Sequence, residues 1–133
     1  MFTHCNTYFS REVESVLMPP DRILHNYMTI LRLRGLGPDE IEEYVRQNKE
    51  EVSLTLQFQL QRTLGYRDTQ LESLLSQFKE IYTSFYKEPL LHQLRKYKID
   101  YILAEDDLLP EVKKELPLEE VFTSGQYHVY MLK

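Results

Sequence analysis

Few side chains in this sequence have the type and spacing that chemistry demands. Histidines stand at positions 4, 25, 92 and 128, and the one cysteine is Cys5. No HxxxH, HExxH or CxxC spacing occurs, so the donors of a tetrahedral zinc site are not gathered anywhere along the chain. His4-Cys5 offers two soft-metal donors where four are usual. Cys5 becomes a nucleophile only if a histidine is brought to it and its thiolate is stabilised, and nothing in the sequence requires that. Glu105-Asp106-Asp107 follows a short apolar run, and ligand sites often sit past strand C-termini, which invites a metal or acid–base reading. The triplet lacks the DxDxDG pattern and distal Glu of a calcium loop, so a solvated exit loop is the simpler reading. Gly35-Leu36-Gly37 has no Lys-Ser/Thr pair and follows a helical pattern, which makes it helix punctuation and not a phosphate loop. Tyr82, Phe85, Tyr86, Tyr97 and Tyr101 could stack a sugar or a peptide, but aromatics at helical spacing more often build a core. No catalytic, cofactor-binding or metal-ligating residue is assigned, and no cofactor is expected.

The elements that would position these residues divide unevenly. Residues 1–9 read as a poorly ordered lead-in, and Ser10-Arg11-Glu12 as the capped start of a helix ending near Leu17. Pro19-Pro20 breaks it, and Asp21 can cap a second helix. Ile23, Leu24, Tyr27, Met28, Ile30, Leu31 and Leu33 give that helix its apolar face, and Gly35 ends it. Pro38-Asp39-Glu40 opens the next helix, with Ile41, Tyr44 and Val45 on one face. No turn signal separates Glu40 from Leu64, so helix is expected to continue through Val52–Leu60, although that stretch also alternates like a strand. Thr69 and Glu72 resemble a capping box ahead of Leu71, Leu74, Leu75, Phe78, Ile81, Tyr82 and Phe85. Pro89 starts a last helix with Leu90, Leu91, Leu94 and Tyr97 as its buried stripe.

The β-prone runs come only after Tyr97. They are Ile99–Ala104, Leu118–Thr123 and Tyr127–Leu132, with one or two helical turns over Pro110–Glu115 between the first and second. Ser124-Gly125 joins the last two as a tight hairpin needing a positive φ. The third run carries apolar bulk on both faces and is expected to be central. The expected fold is α+β, or an incomplete α/β domain: residues 10–133 as one domain, 10–97 mainly helical, packed on a small three-stranded sheet within 98–133.

Bulk properties exclude several classes of function. The 133 residues are 42% hydrophobic and 28% charged, which suits a folded globular chain. A net charge of −5 with dispersed Lys and Arg lacks the basic footprint of a nucleic-acid binder, and no nucleic-acid partner is expected. No run approaches the ~18 apolar residues of a membrane span. Residues 1–6 lack the charged start and apolar core of a signal peptide.

Two pieces of sequence nevertheless carry a likeness. The first is Ser10–Glu14 with residues 31–53 (LRLRGLGPDEIEEYVRQNKEEVS), and the second is residues 94–103 (LRKYKIDYIL) followed by residues 118–132 (LEEVFTSGQYHVYML). Together they resemble the C-terminal soluble region of bacterial polytopic membrane proteins of the GT-C glycosyltransferase type. The resemblance implies an extracytoplasmic accessory domain, partnered by the membrane-embedded part of the same protein or by another protein. Its task would be to shape or support the acceptor side. The family's membrane spans and its acidic residue near the first span have no counterpart in these residues, so no functional position carries over. A start at Met1 would instead imply a cytoplasmic interaction module, and a third reading is a small enzyme using the Glu105–Asp107 loop.

Overall fold

A computed structural model describes residues 20–54 and 68–133. The expected lead-in, the helix over residues 10–17 and residues 55–60 lie outside the described residues. So do the side chains of Thr69 and Glu72.

The fold is α+β, with helices first and strands last. Helix α1 (Pro20–Leu33) begins at a proline, whose missing N–H costs nothing in a first turn. Asp21, expected as a cap, lies inside that first turn, where its charge still favours the helix N-terminus. Gly35, at φ +84°, closes the helix in the left-handed region as expected.

Helix α2 (Ile41–Gln47) starts later than its Pro38 signal suggested. Residues 37–40 form a turn closed by Glu40 N–H to Gly37 O at 3.1 Å, and the Glu40 carboxylate accepts the Gly37 N–H at 2.9 Å. The expected unbroken helix past Glu40 is also interrupted. Asn48 leaves helical geometry at φ −117° and ψ 29°, and helix resumes over residues 49–54. The cause is local. The Asn48 side-chain amide and its backbone N–H both bond the Tyr44 carbonyl at 2.9 Å, the backbone competition typical of Asn inside a helix.

Helix α3 (Asp68–Tyr86) is the long helix expected from its apolar spacing, and α4 (Leu90–Arg95) follows with Pro89 at its N-cap. Lys98, at φ +56°, turns the chain out of α4, so β1 (Tyr101–Glu105) begins two residues later than the apolar run did. Helix α5 (Pro110–Glu115), β2 (Leu118–Ser124) and β3 (Tyr127–Leu132) complete the chain. Gly125 takes φ +60° as the first of two hairpin loop residues, the sign a tight hairpin requires there. The sheet is antiparallel in the order β1-β3-β2, with β3 central as its two apolar faces implied.

Two apolar cores share α1. The first joins Ile23, Tyr27, Met28 and Leu31 of α1 to Ile41, Val52 and, from α3, Phe78, Tyr82 and Phe85. The second gathers Leu90, Leu94, Ile102, Val112, Leu116 and Tyr130 under the sheet, with Leu33 packed against it. Each fully buried side chain of this size contributes roughly 1.5–3 kcal/mol, so both clusters are substantial. Of the aromatic set, Tyr82 and Phe85 are core, Tyr86 and Tyr97 are half-buried, and Tyr101 is exposed. Among the described residues no helix is long and apolar enough to cross a membrane.

Candidate functional site

Strand register decides which side chains share a face. Tyr101, Leu103 and Glu105 of β1 lie opposite Met131, Val129 and Tyr127 of β3, and residues directly opposite project from the same side. On β2 the partners are Glu119 with Met131, Phe122 with Val129, and Ser124 with Tyr127. A bulge at Val121 inserts one extra residue between Glu120 and Phe122. It reverses the alternation, so Glu120 and Phe122 point to opposite faces although they are two residues apart.

The inner face, built on Ile102, Tyr130, Leu118 and Leu132, covers the second core. The outer face is open. Leu103 is 71% exposed, Phe122 58%, Tyr101 57% and Tyr127 49%. Val129 and Met131 lie half-buried between them. Among the described strand residues, the charged side chains on this face stand at two corners, Glu105 at the end of β1 and Glu119 at the start of β2, diagonally opposed across the sheet. Lys133 pairs with Glu119 at 3.1 Å.

The free edge of β1 adds to this surface. Leu132 N–H bonds Asp100 O at 2.8 Å and Asp106 N–H bonds Gln126 O at 2.6 Å. Antiparallel alternation therefore turns the backbone N–H and C=O groups of Tyr101, Leu103 and Glu105 away from β3. The opposite edge, β2, is interrupted by its bulge and carries Glu119 and Glu120, two devices that discourage strand pairing. β1 has neither a bulge nor a proline.

A polar cluster occupies the far end of the inner face. Asp107, Glu120 and His128 place one ligand-type atom each within 4.8 Å of one another. Every member is already engaged. The Lys113 ammonium lies 2.6 Å from the Asp107 carboxylate, and the Tyr130 hydroxyl donates to the same group. These two, in that order, pull the Asp107 carboxyl down to about 2. The Thr123 hydroxyl donates to Glu120, His128 Nδ1 lies 3.2 Å from it, and both lower the Glu120 carboxyl. Burial and then the Asp107 contact raise the Tyr130 phenol. Zinc at its usual 2.0–2.2 Å from nitrogen and oxygen needs donors closer together than this, roughly 3.5 Å apart. A metal would also have to displace Lys113. The arrangement is a network of ion pairs and hydrogen bonds in which each member already has a partner.

The loop acids singled out from sequence do not converge. Glu105 ends on the outer face, hydrogen-bonded by Gln126 at 2.5 Å. Asp106 takes φ +67° and is exposed, and only Asp107 turns toward the cluster. His128 is on the inner sheet face beside Glu120. Gly35-Leu36-Gly37 is the punctuation expected of it. His4 and Cys5 lie outside the described residues.

Sequence reasoning missed a buried polar seam on α1. His25, Asn26, Thr29 and Arg32 are all buried, spaced so that they line the helix flank nearest α4. His25 Nε2 lies 2.7 Å from Gln93 Oε1, and its ring meets Phe85 and Tyr97 edge-on. Burial, the largest effect, lowers the His25 pKa; the Gln93 contact works against it. Arg32 donates to the Glu88 carbonyl at 2.6 Å, stacks over Tyr86 at 4.2 Å, and reaches Glu115 at 3.3 Å. A cavity of about 200 Å³ opens beside it, lined in part by Tyr86, Leu90 and Leu109. That is smaller than the ~300–1,000 Å³ of small-molecule sites, and its one buried cation is already committed. A run of polar residues at helical spacing reads from sequence as a solvated flank, so no signal distinguished this one.

No protein-family model, curated protein or solved structure matches the chain. The likeness to glycosyltransferase-type membrane proteins therefore stands on its quoted residues alone.

Proposed function

We propose that this chain is a non-catalytic interaction domain whose contact surface is the outer face of the β1-β3-β2 sheet. The observation that carries the reading is the difference between the faces: one covers a core, while the other leaves four large, mainly apolar side chains in solvent. With ~200 Å² per large side chain, the exposed apolar area there is on the order of 500 Å². The largest apolar patch on a typical monomer is about 300–600 Å² and is often functional. Its anatomy also fits, with an apolar centre and charges kept to the rim.

In the version implied by the sequence resemblance, the surface met is the membrane-embedded part of the same protein, on the extracytoplasmic side. The domain would then shape or support the acceptor side by contact. Support for that version comes from residues 31–53, 94–103 and 118–132 and from no structural feature.

Photo-crosslinking in the producing cells tests the contact reading. A benzophenone side chain at Leu103 is expected to give a discrete protein adduct, and the same probe at exposed Arg46 on α2 is not. Equal labelling from both positions, or none from either, overturns it.

A further inference from the structure

We infer that the outer sheet face is occupied by a second copy of this chain, packed face to face about a two-fold axis. The inference rests on the contact-surface reading above and names its partner. Three features of the face carry it.

The first is where its charges stand. Ordered by register, the outer face has three rows: Tyr101, Met131, Glu119; then Leu103, Val129, Phe122; then Glu105, Tyr127, Ser124. The two acids occupy diagonal corners, and the other two corners are the hydroxyl-bearing Tyr101 and Ser124. When two copies are laid face to face about a two-fold along the strands, β1 covers β2 of the second copy. Glu119 then meets Tyr101, Glu105 meets Ser124, and Leu103 meets Phe122. About a two-fold across the strands, each strand covers its own copy in reverse. Glu105 then meets Tyr101, Glu119 meets Ser124, and Leu103, Val129 and Phe122 meet themselves. Under either operator no carboxylate faces a carboxylate, and each finds a hydroxyl that can donate to it. An isologous interface must be self-complementary in this sense, and like charges in opposition are what usually forbid one.

The second feature is size. The apolar side chains supply on the order of 500 Å², and the corners and half-buried Val129 and Met131 extend it toward the ~800 Å² per partner of a standard interface. The third is shape. Two antiparallel sheets stack with inner faces about 10 Å apart when side chains from both interdigitate, which is how a sheet apolar on both sides is normally covered. The pairing would make a six-stranded, two-layer centre with helices outside.

The experiment is sedimentation equilibrium of the full 133-residue chain at about 5 and about 200 µM, the span in which an interface at the small end of the standard range dissociates. Expected at the higher concentration is a mass of twice 16.0 kDa, falling toward 16.0 kDa on dilution. Leu103→Lys and Phe122→Lys are each expected to be monomeric at both concentrations with circular dichroism unchanged, because both side chains are exposed in the single chain. Phe122 is the discriminating position, since it lies on β2, away from the free edge of β1. A wild-type monomer at about 200 µM overturns the inference, and so does a dimer that survives Phe122→Lys, which would assign the contact to edge pairing or another surface. The Leu103 crosslink separates the two levels of the argument. An adduct at the dimer mass supports the second copy. An adduct of another mass overturns the second copy but keeps the contact surface, and no adduct overturns both.

Discussion

Arg32→Met tests the view that the seam between the two cores is held by directed polar contacts. Methionine keeps an unbranched stem across Tyr86 but deletes the guanidinium. Lost with it are the 2.6 Å hydrogen bond to the Glu88 carbonyl, the stack at 4.2 Å over Tyr86 and the 3.3 Å contact with Glu115. A hydrogen bond from a charged donor contributes about 1.5–3 kcal/mol and a largely desolvated cation–π contact about 1. Glu115 is well exposed, so its pairing adds at most about 0.5 kcal/mol. In the other direction, Arg32 Nε is buried with no hydrogen-bond partner among the described residues, and removing that donor recovers about 1 kcal/mol. The net expectation is a loss of about 2–3 kcal/mol, a large part of the 5–15 kcal/mol typical of a whole domain, with Tm lower by roughly 10 °C. Urea unfolding followed by far-ultraviolet circular dichroism measures it. Glu115→Gln serves as control, with a loss under about 0.5 kcal/mol that vanishes in high salt. An Arg32→Met midpoint equal to wild type refutes the reasoning.

Three further outcomes are expected. Burial lowers the His25 pKa in the fold, whereas the unfolded chain takes up a proton near pH 6.5. Its contribution is thus complete above pH 6.5 and lost as pH falls below it, with a slope of at most about 1.4 kcal/mol per pH unit; His25→Gln should flatten that limb in pH-dependent urea titrations. Gly35→Ala meets a left-handed φ of +84° and places its Cβ 2.2 Å from Leu109 Cδ1. The side chain can swing aside but the backbone cannot, so a loss of about 1–2 kcal/mol should persist in a Leu109→Ala background, and full rescue there would contradict the backbone argument. Lys113→Met removes the main cause of the low Asp107 pKa, so the carboxyl should titrate well above its present value of about 2 when followed by carbonyl-carbon NMR. An unmoved titration would assign the effect to Tyr130.

What could be read from the sequence was whatever had a local cause. Gly125 and the alternation of Tyr127–Leu132 announce a hairpin whose second strand carries apolar bulk on both faces, and the structure makes that strand central. Leu75, Phe78, Ile81, Tyr82 and Phe85 announce α3 by spacing. The break at Asn48 was hidden, because its cause is a side chain competing for the Tyr44 carbonyl in a segment otherwise rich in helix formers. The seam was hidden for a different reason. His25, Asn26, Thr29 and Arg32 look like the wet side of an amphipathic helix, and only the approach of α4, far along the chain, makes that side dry. The Asp107–Glu120–His128 network and the apolar outer face were both hidden by a single residue. Simple alternation along β2 puts Glu120 and Phe122 on the same side, and the extra residue at Val121 separates them.

That extra residue is a spacer whose removal inverts nothing. With Val121 deleted, Glu120 and Phe122 become neighbours, and the register that already sets Glu120 against Tyr130 and Phe122 against Val129 closes into one regular alternation, every other β2 side chain keeping the face it holds now. What the deletion would take away is the interruption of the β2 edge, leaving that edge as regular as that of β1. The bulge therefore guards an edge more than it sorts the faces.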